Sequence, residues 1–474
     1  MLQNDDAIVD NSSEVTTANL EGQEISLTLR QKLVQGIKNL FLPLQVRNFF
    51  LLFSGQLTSI FGDAFYSVAL PWFILTNGGS ALTLGTLLAA YGIARTGTSL
   101  IGGWLSDKFT PRWIMLVADI LRALLVAGLA IMAVGGHLTL WLLYAISVPL
   151  GALSGVFLPA YYAMTPEVLS DDKLQAGNAL SSSSIQIAEL LGPSVAGIVV
   201  SVARSGVGFM IDAFSFVVSI ATLAAMRETK KTLSPSTNVN SAGSIAASEI
   251  ESSSGISTVM EETPSAPNSS LEEISTTINH PQTIWGLLRQ SQLLQVSLTI
   301  TIVANLMLGG AIEVALPKLI LGSLGGGATA YGLLLALFSA GAIIGSLSSG
   351  IFGKLPRRGL IALATGLVQA GAYTLVPITG QFIGAAIFLI IAGVANGANN
   401  VFYGTILQQK LPRHLFGRVM GIMTFCSLGL YPLSAILAGF VTQQFGPTLM
   451  FIFLGITLTA AFGYGFLRPE FRNL

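Results

Sequence analysis

Seven ionisable side chains interrupt the long apolar stretches of this 474-residue chain: Asp63, Arg95, Asp119, Arg122, Glu189, Asp212 and Glu313. Inside hydrocarbon each such group costs about 2.5–3.5 kcal/mol on insertion scales, so each needs a partner, a wet cavity or a task. A carboxyl group held out of water favours its neutral form. An acid whose surroundings alternate between wet and dry can therefore take up a proton and release it again. By residue count Asp63, Arg95 and Glu189 fall near the middle of their stretches. Asp119 and Arg122 lie nearer one end, and Asp212 and Glu313 nearer the other. Asp119 and Arg122 are spaced i, i+3 and pair along one helix face. Asp63 has two readings at this point, a proton-carrying acid or a fixed partner of Arg95. Glu313 has no partner evident from sequence.

These residues need helices to hold them. A spanning helix takes about 20 mostly apolar residues. Twelve stretches qualify, at 49–75, 82–105, 113–134, 138–164, 177–203, 206–226, 292–321, 328–352, 358–377, 381–408, 417–444 and 446–467. Hydrophobic residues make up 52% of the chain and charged residues 10%, with a mean hydropathy of +0.71. Soluble domains carry about 25% charge, so a bilayer is the expected solvent. The zero net charge points away from a nucleic-acid partner. The lone Cys426 excludes a disulfide framework and a cysteine-based metal site, and His137, His280 and His414 are scattered.

The chain repeats itself. VALPWFIL at 68–75 returns as VALPKLIL at 314–321. At an offset of 247, Gly85, Leu87, Leu88, Ala89, Ser99, Leu100 and Gly103 fall on Gly332, Leu334, Leu335, Ala336, Ser346, Leu347 and Gly350. At an offset of 242, Gly151, Gly155, Tyr161, Leu169, Ala196 and Gly197 fall on Gly393, Gly397, Tyr403, Leu411, Ala438 and Gly439. Two halves of one design are joined in the middle. The expected fold is an all-α integral membrane protein with two pseudo-symmetric six-helix bundles, at 47–227 and 289–468. The proline near the end of each repeated octapeptide, Pro71 and Pro317, is expected to bend both helices towards a common pathway.

Lys and Arg crowd one side of this arrangement: Arg30, Lys32, Lys38, Arg47, Lys108, Arg112, Lys173, Arg227, Lys230, Lys231, Arg289, Lys354, Arg357, Arg358, Lys410, Arg413, Arg418, Arg468 and Arg472, against Arg204 and Lys318 on the other. Both termini are therefore expected in the cytoplasm, in a multi-pass protein of the cell membrane. Residues 1–46 form a cytoplasmic tail whose stretch 30–46 reads either as an interfacial helix or as a solvated lead-in. The Ser/Thr-rich segment 228–288 reads as a flexible cytoplasmic linker, and 469–474 as a cytoplasmic end. There is no G-x-x-x-x-G-K-[ST] phosphate loop, no nucleophile–base set and no metal-ligand spacing, so no enzyme activity and no metal are expected.

Between the second and third stretches the chain reads GGWLSDKFTPRW. Gly103, Leu105, Ser106, Asp107, Lys108 and Arg112 match G-x-L-[AS]-D-[RK]-x-G-R-[RK], which resembles the helix 2–3 loop of the major facilitator superfamily; Thr110 and Pro111 depart from it. The second-half counterpart, GIFGKLPRR at 350–358, has Lys354 where the first half has Asp107. RNFFLLFSGQLTSIFGDAFYSVALPWFIL followed by ADILRALL is similar to the branch with macrolide-efflux and siderophore-export proteins. Gly192-Pro193-Ser194-Val195-Ala196-Gly197 resembles the GPxxGG end of an exporter motif, with Ala196 for one glycine.

The resemblance implies proton-driven export of an amphipathic small molecule, with protons and membrane lipids as further partners, no cofactor beyond the proton gradient, and a monomer. It makes Asp63 and Glu313 the leading proton-coupling residues, with Glu189 third. Cavity candidates are Gln56, Tyr66, Arg95, Tyr161, Gln186, Asn305, Asn396, Asn399, Asn400 and Tyr403. A conformational gate is expected from Gly103, Asp107, Lys108, Arg112, Asp119, Arg122, Gly192 and Pro193, with Gly103 allowing close helix approach and Asp107 capping a helix of the other half. A lysophospholipid transporter of the same fold, or a membrane receptor or assembly protein working through its tail and linker, remain alternatives. Deleting 230–280 separates the last from a transporter: drug accumulation in cells expressing the deletion stays as low as with the full chain if the protein transports, and partner capture is lost if it is a scaffold.

Overall fold

A computed structural model describes residues 40–227, 291–352, 357–411 and 413–472. The tail up to residue 39, the segment 228–288 and Lys354 of the second-half motif lie outside the described residues. Among those described, the chain is helical without strands. A single turn, Leu42–Gln45, leads in, with Pro43 buried. Helix α1 is Arg47–Thr76, α2 Ala81–Lys108, α3 Pro111–Val134 and α4 Leu140–Val168. The continuous run Asp171–Ala225 is two helices. Arg204 adopts φ 68° and ψ 166°, a break that reverses the chain and separates α5 (171–203) from α6 (205–225). In the second half, α7 is Gln292–Gly322, α8 Ala328–Phe352, α9 Arg358–Leu375, α10 Phe382–Lys410, α11 Arg413–Phe445 and α12 Pro447–Phe466.

Among the described residues, nine helical runs have the length and apolarity to cross a bilayer, the run broken at Arg204 counted as one. The run broken at Arg204 is long enough to cross twice. Helices α2 and α9 are not among the nine. The helices follow the expected stretches closely; the largest difference is at α5, which starts six residues early because the polar turn after Ser170 is helical with Asp171 and Asp172 in its first turn. Carboxylates there suit the positive end of the helix dipole.

The repeat seen in the sequence is a repeat of seams. In the first half a Cβ added at Gly151 or Gly155 would strike the main-chain carbonyls of Tyr91 or Arg95, so α4 lies directly on α2. In the second half Gly393 and Gly397 sit in the same way under Phe338 and Ala342, so α10 lies on α8. Between the halves, Gly85 of α2 and Gly439 of α11 approach so closely that a Cβ at Gly85 would lie 3.0 Å from the Gly439 Cα. Their repeat mates, Gly332 of α8 and Gly197 of α5, make the equivalent contact at 3.1 Å. A methyl group at any of these positions is excluded by backbone, and backbone cannot swing aside.

Hydrogen bonds reinforce the seam. The Ala81 amide donates to Gln443 Oε1 at 3.2 Å, Thr329 Oγ1 donates to the Gly197 carbonyl at 3.3 Å, and Thr96 Oγ1 donates to the Leu428 carbonyl at 3.3 Å. Beyond Thr96 the helices part: Leu100 and Trp104 of α2 are 77% and 55% exposed, and nothing stands within 4 Å of a Cβ at Gly97 or Gly103. The halves are therefore closed at the α1–α2 end and apart at the α2–α3 end. Replacing Gly85 or Gly332 by Leu overpacks a backbone-to-backbone contact and costs about 1–3 kcal/mol. A lowered thermal midpoint in detergent checks this, with Gly97→Leu and Gly371→Leu, which meet open space, leaving it unchanged.

Candidate functional site

Pro317 has no amide hydrogen, so the carbonyl of Glu313, four residues earlier, loses its helical partner. The helix answers by widening. Residues Ala311–Ala315 form a π turn, and the Leu316 amide reaches back to the Ala311 carbonyl. Such turns re-aim side chains and recur at functional sites. Here the side chain on the turn is Glu313. In α1, Pro71 stands in the same relation to Ser67. The doubled octapeptide thus sets one residue of each half, Ser67 and Glu313, against a shared space.

That space is a cavity of about 470 Å³ between the halves. It is built mainly by the first: Gln56, Asp63, Tyr66 and Ser67 from α1, Tyr91, Arg95 and Thr96 from α2, Arg122 from α3, Ser147, Leu150, Phe157 and Leu158 from α4, and Asp212 and Phe216 from α6. The second half adds Glu313 from α7 and Ser427, Leu428 and Tyr431 from α11. The Tyr431 hydroxyl donates to Glu313 Oε2, and its ring lies against Gly92 of α2 and Gly309 of α7. One side chain thereby ties three helices from both halves to one acid. Apolar and aromatic walls with a few polar anchors are what an amphipathic guest needs.

Among the described residues the ion pair within 4 Å is Arg122 to Asp119, at 2.6 Å. Ser219 Oγ donates to the other Asp119 oxygen at 2.6 Å. The Arg122 guanidinium lies 4.1 Å from the Phe157 ring centroid and 4.9 Å from that of Phe216. This network joins α3, α4 and α6 inside the first half. The expected i, i+3 pair forms, but its partners come from its own bundle, so Asp119 and Arg122 are not a latch between halves; Arg122 also floors the cavity. Asp63 and Arg95 both line the cavity without an ion pair between them.

Several expected cavity residues lie elsewhere. Tyr161 is buried in the α4 seam with its ring 5.7 Å from that of Tyr162, and its repeat mate Tyr403 stacks at 5.7 Å on Phe471 of the short helix Pro469–Arg472. Asn399 is bonded to Thr365 at 2.7 Å and to Gln369 at 3.1 Å, bridging α10 to α9. Asn400 turns back to Asn396 at 3.4 Å, and Asn305 donates to the Thr301 carbonyl of its own helix at 2.8 Å. Glu189 and Gln186 are exposed on α5 outside the cavity lining. Helix α5 is seated through the buried stripe of Ala188 and Gly192, the latter against Ala64, and Glu189 lies about 100° round from it.

Among the described residues, the motif residues at the α2–α3 turn make no bond across the halves. Gly103 faces open space, and its neighbour Gly102 makes the close approach, to Val156 of α4. Asp107 is exposed, and Lys108 lies 4.1 Å over the Trp104 ring. Arg112 donates to the Leu223 and Ala224 carbonyls, each at 2.9 Å, capping α6 of its own half. Pro193 and Gly197 do lie on the seam, where the Pro193 carbonyl meets Gly332. Tyr431, Asp212 and Tyr91 were missed as cavity candidates. For Tyr431 the available signal was a tyrosine preceding Pro432 inside an apolar helix.

The pattern of the Major Facilitator Superfamily matches residues 52–430, most of the chain. The chain belongs to that superfamily of transporters. This facilitator is similar to the multidrug efflux pump Tap of Mycobacterium tuberculosis (strain ATCC 25618 / H37Rv), at 23% identity over 435 residues, which cover 90% of this chain and 94% of that one. It is also similar to macrolide efflux protein A of Streptococcus pyogenes, at 26% identity over 181 residues, covering 38% and 44%. Its fold resembles that of a POT family transporter in complex with 5-aminolevulinic acid (TM-score 0.64, 14% identity, covering 90% of this chain and 96% of that one). A bacterial homologue of the iron transporter ferroportin in its inward-facing state is similar in fold too (0.60, 13%, covering 91% and 99%).

Truncating Arg122 to Leu strands the buried Asp119 carboxylate, and breaking a buried pair in this way costs about 3–5 kcal/mol. The double change Asp119→Leu with Arg122→Leu recovers most of that loss. Thermal midpoints of the purified variants measure both.

Proposed function

We propose that this facilitator is a secondary active exporter of hydrophobic or amphipathic small molecules, driven by antiport of protons. The observation that carries the reading is the cavity between the halves, where Asp63 of α1 and Glu313 of α7 share apolar and aromatic walls with Arg95. The efflux names of its relatives support the same reading. The crowding of Lys and Arg at the α2–α3 end orients that end to the cytoplasm of the cell, so the opening described above faces the compartment from which cargo is taken. The chain acts as a monomer, with bundles 47–227 and 289–468 rocking about the cavity.

In the proposed cycle the guest enters from the cytoplasmic side and lies along Leu150, Phe157 and Tyr66. Its polar or cationic part meets Asp63 and Glu313, and a protonated carboxyl group there releases its proton and pairs with the guest as a carboxylate. Closure at the α2–α3 end then brings Gly103, Asp107 and the basic residues of the motif against the other half. The guest leaves on the far side, and a proton returns to the acid. Arg95 lies where it can neutralise whichever of the two carboxylates is ionised.

Purified protein in detergent, given erythromycin or ethidium, is expected to release protons. Asp63→Asn and Glu313→Gln each reduce that release, and cells expressing either variant accumulate more ethidium than cells with the native chain. Accumulation indifferent to the protein and to a proton uncoupler would overturn export by antiport.

A further inference from the structure

Asp212 is the cavity acid that the proposed cycle leaves unused. It lies on α6, is 1% exposed, and lines the same wall as Asp63 and Tyr66. Its Oδ1 accepts no hydrogen bond. The Ser215 hydroxyl, one turn on, donates to the main-chain carbonyl of Asp212 at 2.7 Å. Opposite, a Cβ at Gly62 would come within 2.9 Å of that Oδ1. The glycine preceding Asp63 thus leaves room for the Asp212 carboxyl beside the α1 backbone.

The charged and titratable groups facing Asp212 are Asp63 and Tyr66 from α1 and Arg122 from α3. Arg122 is already spent on Asp119 and on the rings of Phe157 and Phe216, and the Tyr66 hydroxyl stands 3.5 Å from Ser147. Counting Asp119, four carboxyl groups lie at or beside the cavity against two guanidiniums. With Oδ1 lacking a donor and the nearby guanidinium paired to another acid, burying the charged form is costly, and such a group neutralises instead. Among the described residues no group of three or more His, Cys, Asp or Glu is placed to hold a metal ion, and a proton needs no such group.

We propose that Asp212 is a second proton-binding residue of the cavity, protonated in this conformation and exchanging its proton with Asp63 during the cycle. The transfer is a single O–H exchange: the bond breaks at the Asp212 carboxyl and forms at the Asp63 carboxylate, and the negative charge moves the opposite way. The proposal rests on the proton-antiport reading for its role in the cycle.

Infrared spectroscopy of the purified full-length protein at neutral pH tests it. The expected result is a protonated-carboxyl C=O band that Asp212→Asn removes, Asp63→Asn retains, and transfer into D2O shifts. Asp212→Glu, which keeps a carboxyl if the amide variant folds poorly, moves the band. A spectrum unchanged by both Asp212 variants overturns the assignment. So does a band that D2O leaves in place, because that proton would not exchange, and so does a band abolished by sodium, which would mark a metal-cation site. The readout needs no transported compound. Failure of uncoupler-sensitive ethidium efflux would sink the export reading and leave the band to be judged by itself.

Discussion

The organisation of this protein depends on a shortage of positive charge between its membrane helices. Among the described residues, Asp63, Asp119, Asp212 and Glu313 share their surroundings with Arg95 and Arg122. One pair, Arg122 with Asp119, is closed by a direct ion pair, a serine hydroxyl and two aromatic rings. That closure locks α3, α4 and α6 together and removes one guanidinium from circulation. The three remaining acids must be served by Arg95, by hydrogen bonds such as that from Tyr431, by protons, or by a guest. In the proposed cycle that shortage is what lets the cavity respond to cations that come and go.

The second constraint is steric. The halves meet through glycines on α2, α5, α8 and α11, related in pairs by the internal repeat. Backbone-to-backbone contact of this kind has two arrangements, together or apart, because no side chain is present to give gradually. In the conformation described, the α1–α2 end is together and the α2–α3 end is apart. At the α2–α3 turn Asp107 is exposed and Gly103 faces open space, while Arg112 holds the end of its own bundle. Two-fold symmetry of the backbone coexists with asymmetry of charge, since Arg95 and its repeat mate Ala342 occupy equivalent places above Gly155 and Gly397.

The proline of each repeated octapeptide links these constraints to the cavity. By removing one helical hydrogen bond it frees the carbonyl four residues earlier. In α7 the chain relaxes into a π turn that carries Glu313 into the space where Asp63 and Arg95 already stand. The same proline in α1 leaves the helix regular and exposes Ser67. Near-identical sequence words thus produce a charged wall on one side and a hydroxyl on the other.

How much of this was legible beforehand follows from the physics of each feature. Apolar length is local, so the helices, their break into two sets of six and the repeat could be read directly. The family followed from the motif at Gly103–Arg112. The expense of charge in hydrocarbon marks the acids and arginines in the sequence itself. The sequence also paired Asp119 with Arg122, because i, i+3 spacing is a property of one helix. What a side chain faces across a seam is not local. Tyr161, Tyr403 and Asn399 satisfy the same compositional rule as cavity residues, yet their rotation about the helix turns them into bundle seams. Glu189 falls outside the cavity because α5 is seated by the stripe of Ala188 and Gly192. Conversely, Tyr431 and Asp212 became part of the site only when α11 and α6 were docked. Chain chemistry alone determined which groups the membrane could not ignore; tertiary packing decided which of them share one space, because that depends on helix rotation, and rotation is set by which glycines let neighbouring backbones touch.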